Sequence, residues 1–538
     1  MSGNIMQSSG TLKPPEFTDQ HVAKYLDRGF GAFMKRDFKT ADDCTKLILK
    51  YKPELPEAHF LVGLIAIEMD EWAVARKAFS AVVHFKDDHP AAWAQLAKTH
   101  VRMGSYNDAE KALEKAVEYG ADDPLVHDVI GSVYNLMGDQ VNALKYFEKA
   151  CENTNDPSFE INNARALLYL GKFDEARSVL EKVFKLSPYN SGAHFVLSGI
   201  GKAENLDHID EMQDLLKKLK PDSPPTESLY FALGKEYEDL EMWGEAFDAI
   251  EHGGKVRRSH VSYDEAEEEK VFEALQETFT KEWLAQAGEG CLDASPIFII
   301  GQPRTGTTLT ERILTARDDV HSAGELPQFR MNLKRMTNTT QSKQLTADTV
   351  YASKELDVKA IGEAYMESTR SLRSDLPHFV DKLPTNYLYA PLIAAALPNA
   401  KIIHVTRGAM DSCFSSYKQL FAEAYFHSYD QGEMARHHVR YRRLMDHYRE
   451  VLGDRMIEVA YEDVVADMET QARKMTDYMG LEWQDSSLEF HKQKTAVTTA
   501  SAAQVREKTH NRSVGKWKRF EQELAPMKKI LLDAGVLS

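Results

Sequence analysis

The sequence predicts an all-α superhelix of helical repeats followed by an α/β domain built on a parallel sheet. Three observations carry that expectation. Prolines recur at positions 56, 90, 124, 157, 188 and 221, at spacings of 34, 34, 33, 31 and 33 residues. Beyond residue 295, short β-branched runs alternate with long helical stretches, the pattern of strands linked by crossover helices. Between the two regimes the glycine-punctuated turn GQPRTGTT (301–308) follows the apolar run IFII. The expected boundaries are 22–253 for the repeats, 254–295 for a helical linker and 296–538 for the α/β domain. A chain of 538 residues has room for such a division, at about 150 residues per domain.

Within the proline period, other residues return in step. Small residues stand at Gly63, Ala97, Gly131 and Ala164, aromatics at Trp72, Tyr106 and Phe173, and alanines at Ala75, Ala109, Ala143 and Ala176. Each unit reads as two antiparallel helices, with small residues where they touch and aromatics filling the groove to the next unit. These positions resemble the tetratricopeptide repeat, best from about 56 to 187. Gly29, Phe38 and Ala41 suggest a weaker copy at 22–55, and Gly234, Tyr237, Trp243 and Ala246 another at 227–253, with a degenerate stretch at 189–222. Stacked repeats form a concave face, and the resemblance implies that it holds a peptide or protein partner.

Residues 254–295 read as a transition, with an acidic helix around YDEAEEEKVFEALQETFTKEWLAQ and a glycine-containing end, AGEGCLDASP. Strands are expected at IFII (297–300), HFVD (378–381), KIIHVTR (401–407) and MIEVAYED (456–463). Composition narrows the function classes. Acidic residues outnumber basic ones 83 to 66, for a net charge of -17, so no domain-wide basic excess is available for nucleic acid. The four cysteines are scattered without a C-x-x-C pair, which suggests reduced structural thiols. No apolar run of about 18 residues and no signal-like start is present, so no membrane association is expected and the cytoplasm is the expected address. No metal is expected either: no H-E-x-x-H occurs, and His437 and His438 in ARHHVRYRRLMDHYREV are adjacent on what reads as a solvated helix face, with Val439, Leu444 and Met445 turned inward.

The chemistry concentrates in the glycine-rich turn. Gly301 and Gly306 have the separation of the nucleoside triphosphate loop G-x-x-x-x-G-K-[ST], but Thr307 holds the lysine position. Backbone amides opening onto a helix N-terminus still make an anion site, and Thr307, Thr308 and Arg304 add donors and charge. P-R-T-G-T-T-L after an apolar strand resembles the 5′-phosphosulfate loop of the sulfotransferase family. Its arginine is similar to that of tyrosylprotein sulfotransferases, which carry P-R-S-G-T-T, whereas cytosolic sulfotransferases generally place lysine there. The resemblance implies a P-loop-like sulfotransferase domain using 3′-phosphoadenosine 5′-phosphosulfate and releasing adenosine 3′,5′-bisphosphate. Arg304, Thr305, Gly306, Thr307 and Thr308 would bind the donor, with Arg304 also acting in catalysis.

Other segments match the family in its order. Arg407 at a strand end and Ser415 eight residues on look like its 3′-phosphate site, and Tyr461 in VAYEDV matches a tyrosine near the nucleotide. In TASAAQVREKTHNRSVGKWKRF, Ser501, Gln504, Val505, Lys516 and Trp517 are spaced as in the segment closing over the nucleotide of tyrosylprotein sulfotransferases, with Arg506 and Lys516 as added cations. Glu325 in HSAGELPQF stands where those enzymes carry the general base, with His321 a nearby rival. Lys382 in VDKLPTNY matches the lysine expected to stabilise charge on the oxygen between phosphorus and sulfur, although Asp381 and Leu383 depart from the family's flanking residues. The resemblance therefore implies sulfuryl transfer to an acceptor hydroxyl, on a peptide or protein held by the repeats. A repeat scaffold with a nucleotide-binding but inactive C-terminal domain is the alternative, and a nucleotide kinase is disfavoured by Thr307.

Overall fold

The computed structural model describes residues 17–537 apart from 121, 153, 155, 341–343, 423, 494, 500, 501 and 503. It divides into two units, Met1–Val133 and Tyr134–Ser538. The first unit is helical throughout its described length. Helices Asp19–Met34, Phe38–Tyr51, Pro56–Glu68, Trp72–Phe85, Pro90–Arg102 and Tyr106–Glu118 form three antiparallel pairs. Pro56 and Pro90 open their helices, where a missing N–H costs nothing and φ is already helical. A Cβ on Gly63 would lie 2.5 Å from the Phe79 ring, so only glycine allows that pair to close. Ala41, Ala75 and Ala109 are fully buried at the corresponding contacts.

In the second unit the repeat pattern continues through helices Pro157–Tyr169, Phe173–Leu186, Ser191–Ile200, Asp207–Leu216, Pro224–Asp239 and Trp243–His260. Pro157 still opens its helix, but Pro188 and Pro221 each precede a helix by three residues, and Asn190 caps the first of these by accepting from the Ala193 amide. The degenerate stretch is thus a real but short helix pair of 10 residues each.

The sheet has five parallel strands in the order β2-β3-β1-β4-β5. They are β1 (Pro296–Gly301), β2 (Val320–Ser322), β3 (His378–Asp381), β4 (Lys401–Thr406) and β5 (Met456–Ala460). All six residues of β1 are buried, as a central parallel strand covered on both faces requires. Its side chains alternate between two cores. Phe298 and Ile300 pack with Phe329, Tyr365 and Leu444, while Ile297 and Ile299 pack with Ile313, Val380 and Met475. β2 was not expected, because VHS is too short and too polar to read as a strand. β4 and β5 stop one residue short of Arg407 and Tyr461, which therefore sit just past the strand ends, at the edge where ligands bind in such sheets.

Two segments pack differently from expectation. Helix Glu265–Thr278 sends Val271, Phe272 and Leu275 into the first sheet core, so the stretch expected as a linker is built into the α/β layer. Helix Gln431–Leu452 buries Val439, Leu444 and Met445 as expected, but His437 and His438 are only 4% and 2% exposed. That face is not solvated; it packs on Phe272 and on the loop residue Gln302. A further core joins Leu229, Phe247 and Ile250 of the last repeat pair to Met410, Phe414, Phe520 and Leu531, so these elements share one interior. Among the described residues no disulfide bond is formed. Among the described residues no helix is long and apolar enough to cross a membrane.

Candidate active site

β1 delivers its backbone into the turn 301–308, and helix Thr307–Thr315 begins at once behind it. Three residues of the turn have positive φ, Gly301 at 151°, Arg304 at 66° and Gly306 at 100°. Such alternation folds successive amides toward one side, and the first amides of the helix lack intrahelical acceptors. A Cβ on Gly306 would sit 2.5 Å from the Tyr461 ring, so glycine is needed here for space as well as for conformation. Thr305 Oγ1 donates to the Gln302 carbonyl at 2.8 Å and braces the turn from inside, while Thr307 and Thr308 are buried at the helix start.

Arg407 lies directly across this turn. Its Nη1 donates to the Arg304 carbonyl at 3.0 Å and to Ser415 Oγ at 3.3 Å, and Nη2 donates to the Ser513 carbonyl. The guanidinium is stacked 4.8 Å above the Tyr461 ring. Arg407 and Ser415, eight residues apart, and Tyr461 from the end of the next strand thus meet beside the turn. Arg304 is pushed down to about 10 by burial and by the neighbouring Arg407 charge. Its Nη2 donates to Gln504 Oε1 at 3.4 Å.

On the other side of β1, Lys382 follows β3. Its side chain is 2% exposed and Nζ donates to Glu325 Oε1 at 2.6 Å, with Glu311 Oε2 at 3.8 Å. Burial alone would lower this lysine, but the Glu325 and Glu311 carboxylates reverse the effect and hold it above its ordinary value. Burial raises Glu311, with Lys382 and the Ser322 hydroxyl only partly compensating. The Glu325 side chain remains 42% exposed. The turn presenting it is fixed by Asp381, which accepts from the Leu326 amide, the Tyr365 hydroxyl and Asn386 and is pushed up to about 7 by burial. His321, the rival base, has its Nε2 against the Leu372 carbonyl at 3.3 Å.

A family model described as "Sulfotransferase family" matches residues 296–485, and two tetratricopeptide repeat models match 66–132 and 162–190. The C-terminal part is a sulfotransferase-family domain carried behind tetratricopeptide repeats. A protein-tyrosine sulfotransferase of Drosophila melanogaster is 25% identical over 44% of this chain and 51% of its own length. An uncharacterized protein of Aquifex aeolicus is 30% identical over 68% of this chain and 49% of its own. The chain thus spans about half the length of both relatives. Among solved structures, a sulfotransferase domain from the curacin biosynthetic pathway aligns with a TM-score of 0.32 at 18% identity, covering 46% of this chain and 98% of that one.

Described residues between 495 and 516 pack against the repeats. The Tyr169 carbonyl, at the end of a repeat helix, accepts from the Val497 amide at 3.0 Å and from Arg506 Nη2 at 2.9 Å. Val505 is buried beside Tyr169 with Val497 and Ala502. Arg506 is therefore docked on the repeats and not on the glycine-rich turn. Lys516 Nζ lies 2.8 Å from Glu238 Oε2 of helix Pro224–Asp239. Within the segment, Gln504 reaches Arg304 and Thr499 lies 3.3 Å from Thr308, while Ser501, expected near the nucleotide, lies outside the described residues.

Several neighbours of the site were not singled out from sequence. Lys418 Nζ binds Glu238 at 2.6 and 2.9 Å, and it is pushed down to about 8 by burial and by the Lys516 and Arg304 charges, against the pull of Glu238. It stands three residues after Ser415 on one helix face, which is the signal that could have found it. Glu311 stands in the same relation to Thr308. Tyr169 and Tyr425 border Glu325, whose charge adds to burial in raising both phenols.

Glu238 neutralises two lysines with a side chain only 6% exposed. Burial opposes its ionisation, but Lys418 and Lys516 hold its carboxyl below the usual range. Removing one partner of a buried ion pair costs about 3–5 kcal/mol. Glu238→Gln is therefore expected to lower Tm clearly. The lysine held below its unfolded value contributes stability that is present above the unfolded value and lost as pH falls through the folded one. The Glu238→Gln loss is thus larger near about pH 6.5 than near about pH 9, where Lys418 sheds its proton; thermal unfolding at both pH values checks this.

Proposed function

We propose that the protein moves a sulfuryl group from 3′-phosphoadenosine 5′-phosphosulfate to an acceptor hydroxyl on a peptide or protein held by the repeats. The observation carrying this reading is the Lys382–Glu325 pair at 2.6 Å, set at the same edge of the sheet as the glycine-rich turn and Arg407. The residues suit the donor's chemistry. Arg304 and Lys418 are both pushed below their ordinary values by burial and by neighbouring cations, which supports an anion as the group received there.

The donor brings the sulfuryl group and a nucleotide leaving group. In this reading the turn's amides with Thr307 and Thr308 hold the 5′ end, and Arg407 with Ser415 holds the 3′-phosphate. The half-exposed Glu325 carboxylate takes the acceptor's proton as its oxygen bonds to sulfur. Lys382 then meets the negative charge gathering on the phosphate oxygen as the sulfur–oxygen bond breaks, and adenosine 3′,5′-bisphosphate leaves. The pair's contact lets one lysine both orient the base and stabilise the leaving group. Tyr169, on a repeat helix and electrostatically coupled to Glu325, supports delivery of the acceptor from the repeat side.

Glu325→Gln keeps the size and the hydrogen bond but removes the base. It is expected to cut the release of adenosine 3′,5′-bisphosphate, with an acceptor pool present, by about 100- to 10,000-fold while nucleotide affinity holds. Unchanged turnover would instead favour a nucleotide-binding scaffold. The acceptor itself is found by mass spectrometry of peptides carrying an added sulfuryl group after incubation with enzyme and donor.

A further inference from the structure

The short helix pair where the repeat pattern thins carries a cluster that the proposed sulfuryl transfer does not use. His194 of helix Ser191–Ile200 and His208 of helix Asp207–Leu216 face each other, with His194 Nδ1 2.9 Å from His208 Nε2. Each ring's outer nitrogen is committed to an acceptor. His194 Nε2 lies 3.3 Å from the Pro188 carbonyl, and His208 Nδ1 lies 2.7 Å from Glu236 Oε1 of helix Pro224–Asp239. A carbonyl and a carboxylate only accept, so both outer nitrogens carry the hydrogens. The two inner nitrogens then confront each other with lone pairs, an arrangement that a cation between or beside them relieves.

A third donor is at hand. Glu211 stands three residues after His208 on the same helix face, and a carboxylate oxygen of it lies with one nitrogen of each ring within 4.8 Å of one another. Glu236, 4% exposed, has the place of the carboxylate that orients a metal-binding histidine through its other nitrogen. Its second oxygen is buried without a hydrogen-bond partner. We propose that His194 Nδ1, His208 Nε2 and the Glu211 carboxylate bind a divalent transition metal, with two imidazoles and one carboxylate suited to Zn2+. This departs from the expectation of no metal, which rested on motifs within single helices.

Such an ion would tie the two short helices together and, through Glu236, to the helix that also carries Glu238. A second histidine cluster, Glu268 with His427 and His437, fits an ion less well. Its two rings are stacked at 3.5 Å and 12°, so their lone pairs run parallel, and Glu268 Oε2 already accepts from Tyr263 and Arg440.

The test uses the full chain, stripped with chelator and then dialysed against micromolar Zn2+. Wild type is expected to retain close to one equivalent after desalting, measured by elemental analysis, and to gain in Tm, with chelator reversing the gain. Glu211→Gln, at an exposed position that folding does not need, should weaken Zn2+ binding in a competition titration by about 10-fold or more, and Glu236→Gln by about 10- to 100-fold. His208→Ala should abolish the Tm gain. Wild type that retains no Zn2+ overturns the proposal, and so does Zn2+ retained undiminished by the His208→Ala, Glu211→Gln double variant.

Discussion

Lys382→Ala is expected to lower kcat by about 100- to 1,000-fold, equivalent to about 3–4 kcal/mol, the usual cost of removing one positioned donor at a developing negative charge. The side chain is 2% exposed and faces two carboxylates, so the same change also tests the fold. Two features limit that damage. Glu325 is 42% exposed and can be hydrated once its partner is gone. Burial already raises Glu311 and favours its neutral form, which lessens the cost of removing the lysine beside it. The expected outcome is therefore a large kinetic loss with a modest fall in Tm. Single-turnover measurements alongside thermal unfolding separate the two. Arginine at this position does not restore activity, because its planar fork cannot occupy the space of a compact ammonium between Glu325 and Glu311.

Arg407→Ala carries the other large effect, on binding. The guanidinium spans the Arg304 carbonyl, Ser415 Oγ and the Ser513 carbonyl while lying over Tyr461. A charge-assisted hydrogen bond contributes about 1.5–3 kcal/mol, so affinity for adenosine 3′,5′-bisphosphate should fall by about 10- to 100-fold. The discriminating comparison is adenosine 5′-monophosphate, which lacks the 3′-phosphate and should lose far less. Ser415→Ala should weaken the bisphosphate by less than Arg407→Ala, and the double variant should show coupling, because the two side chains are in direct contact. Equal losses for both nucleotides would mean that Arg407 serves only to brace the turn.

What the sequence disclosed and what it hid have physical reasons. The repeats were legible because every unit faces the same steric problem, solved by a glycine or an alanine at each helix crossing. The turn 301–308 and the strands around it were legible because β-branched burial and left-handed backbone leave composition marks. The partners of Lys516 and Arg506 were hidden, because Glu238 and the Tyr169 carbonyl lie hundreds of residues away. No local pattern encodes such a contact. The burial of His437 and His438 was hidden for a related reason: a polar helix face reads as solvated until the loop residue Gln302 and helix Glu265–Thr278 are seen packed on it. Lys418 and Glu311 were within reach, since each lies one helical turn from a residue already singled out.

Calorimetry with adenosine 3′,5′-bisphosphate on the purified full chain tests the central claim most directly. Saturable binding that persists in the presence of chelator, weakened by Arg407→Ala, and tighter than that of ATP with magnesium is the predicted result. No heat with the bisphosphate while ATP with magnesium binds well would contradict it.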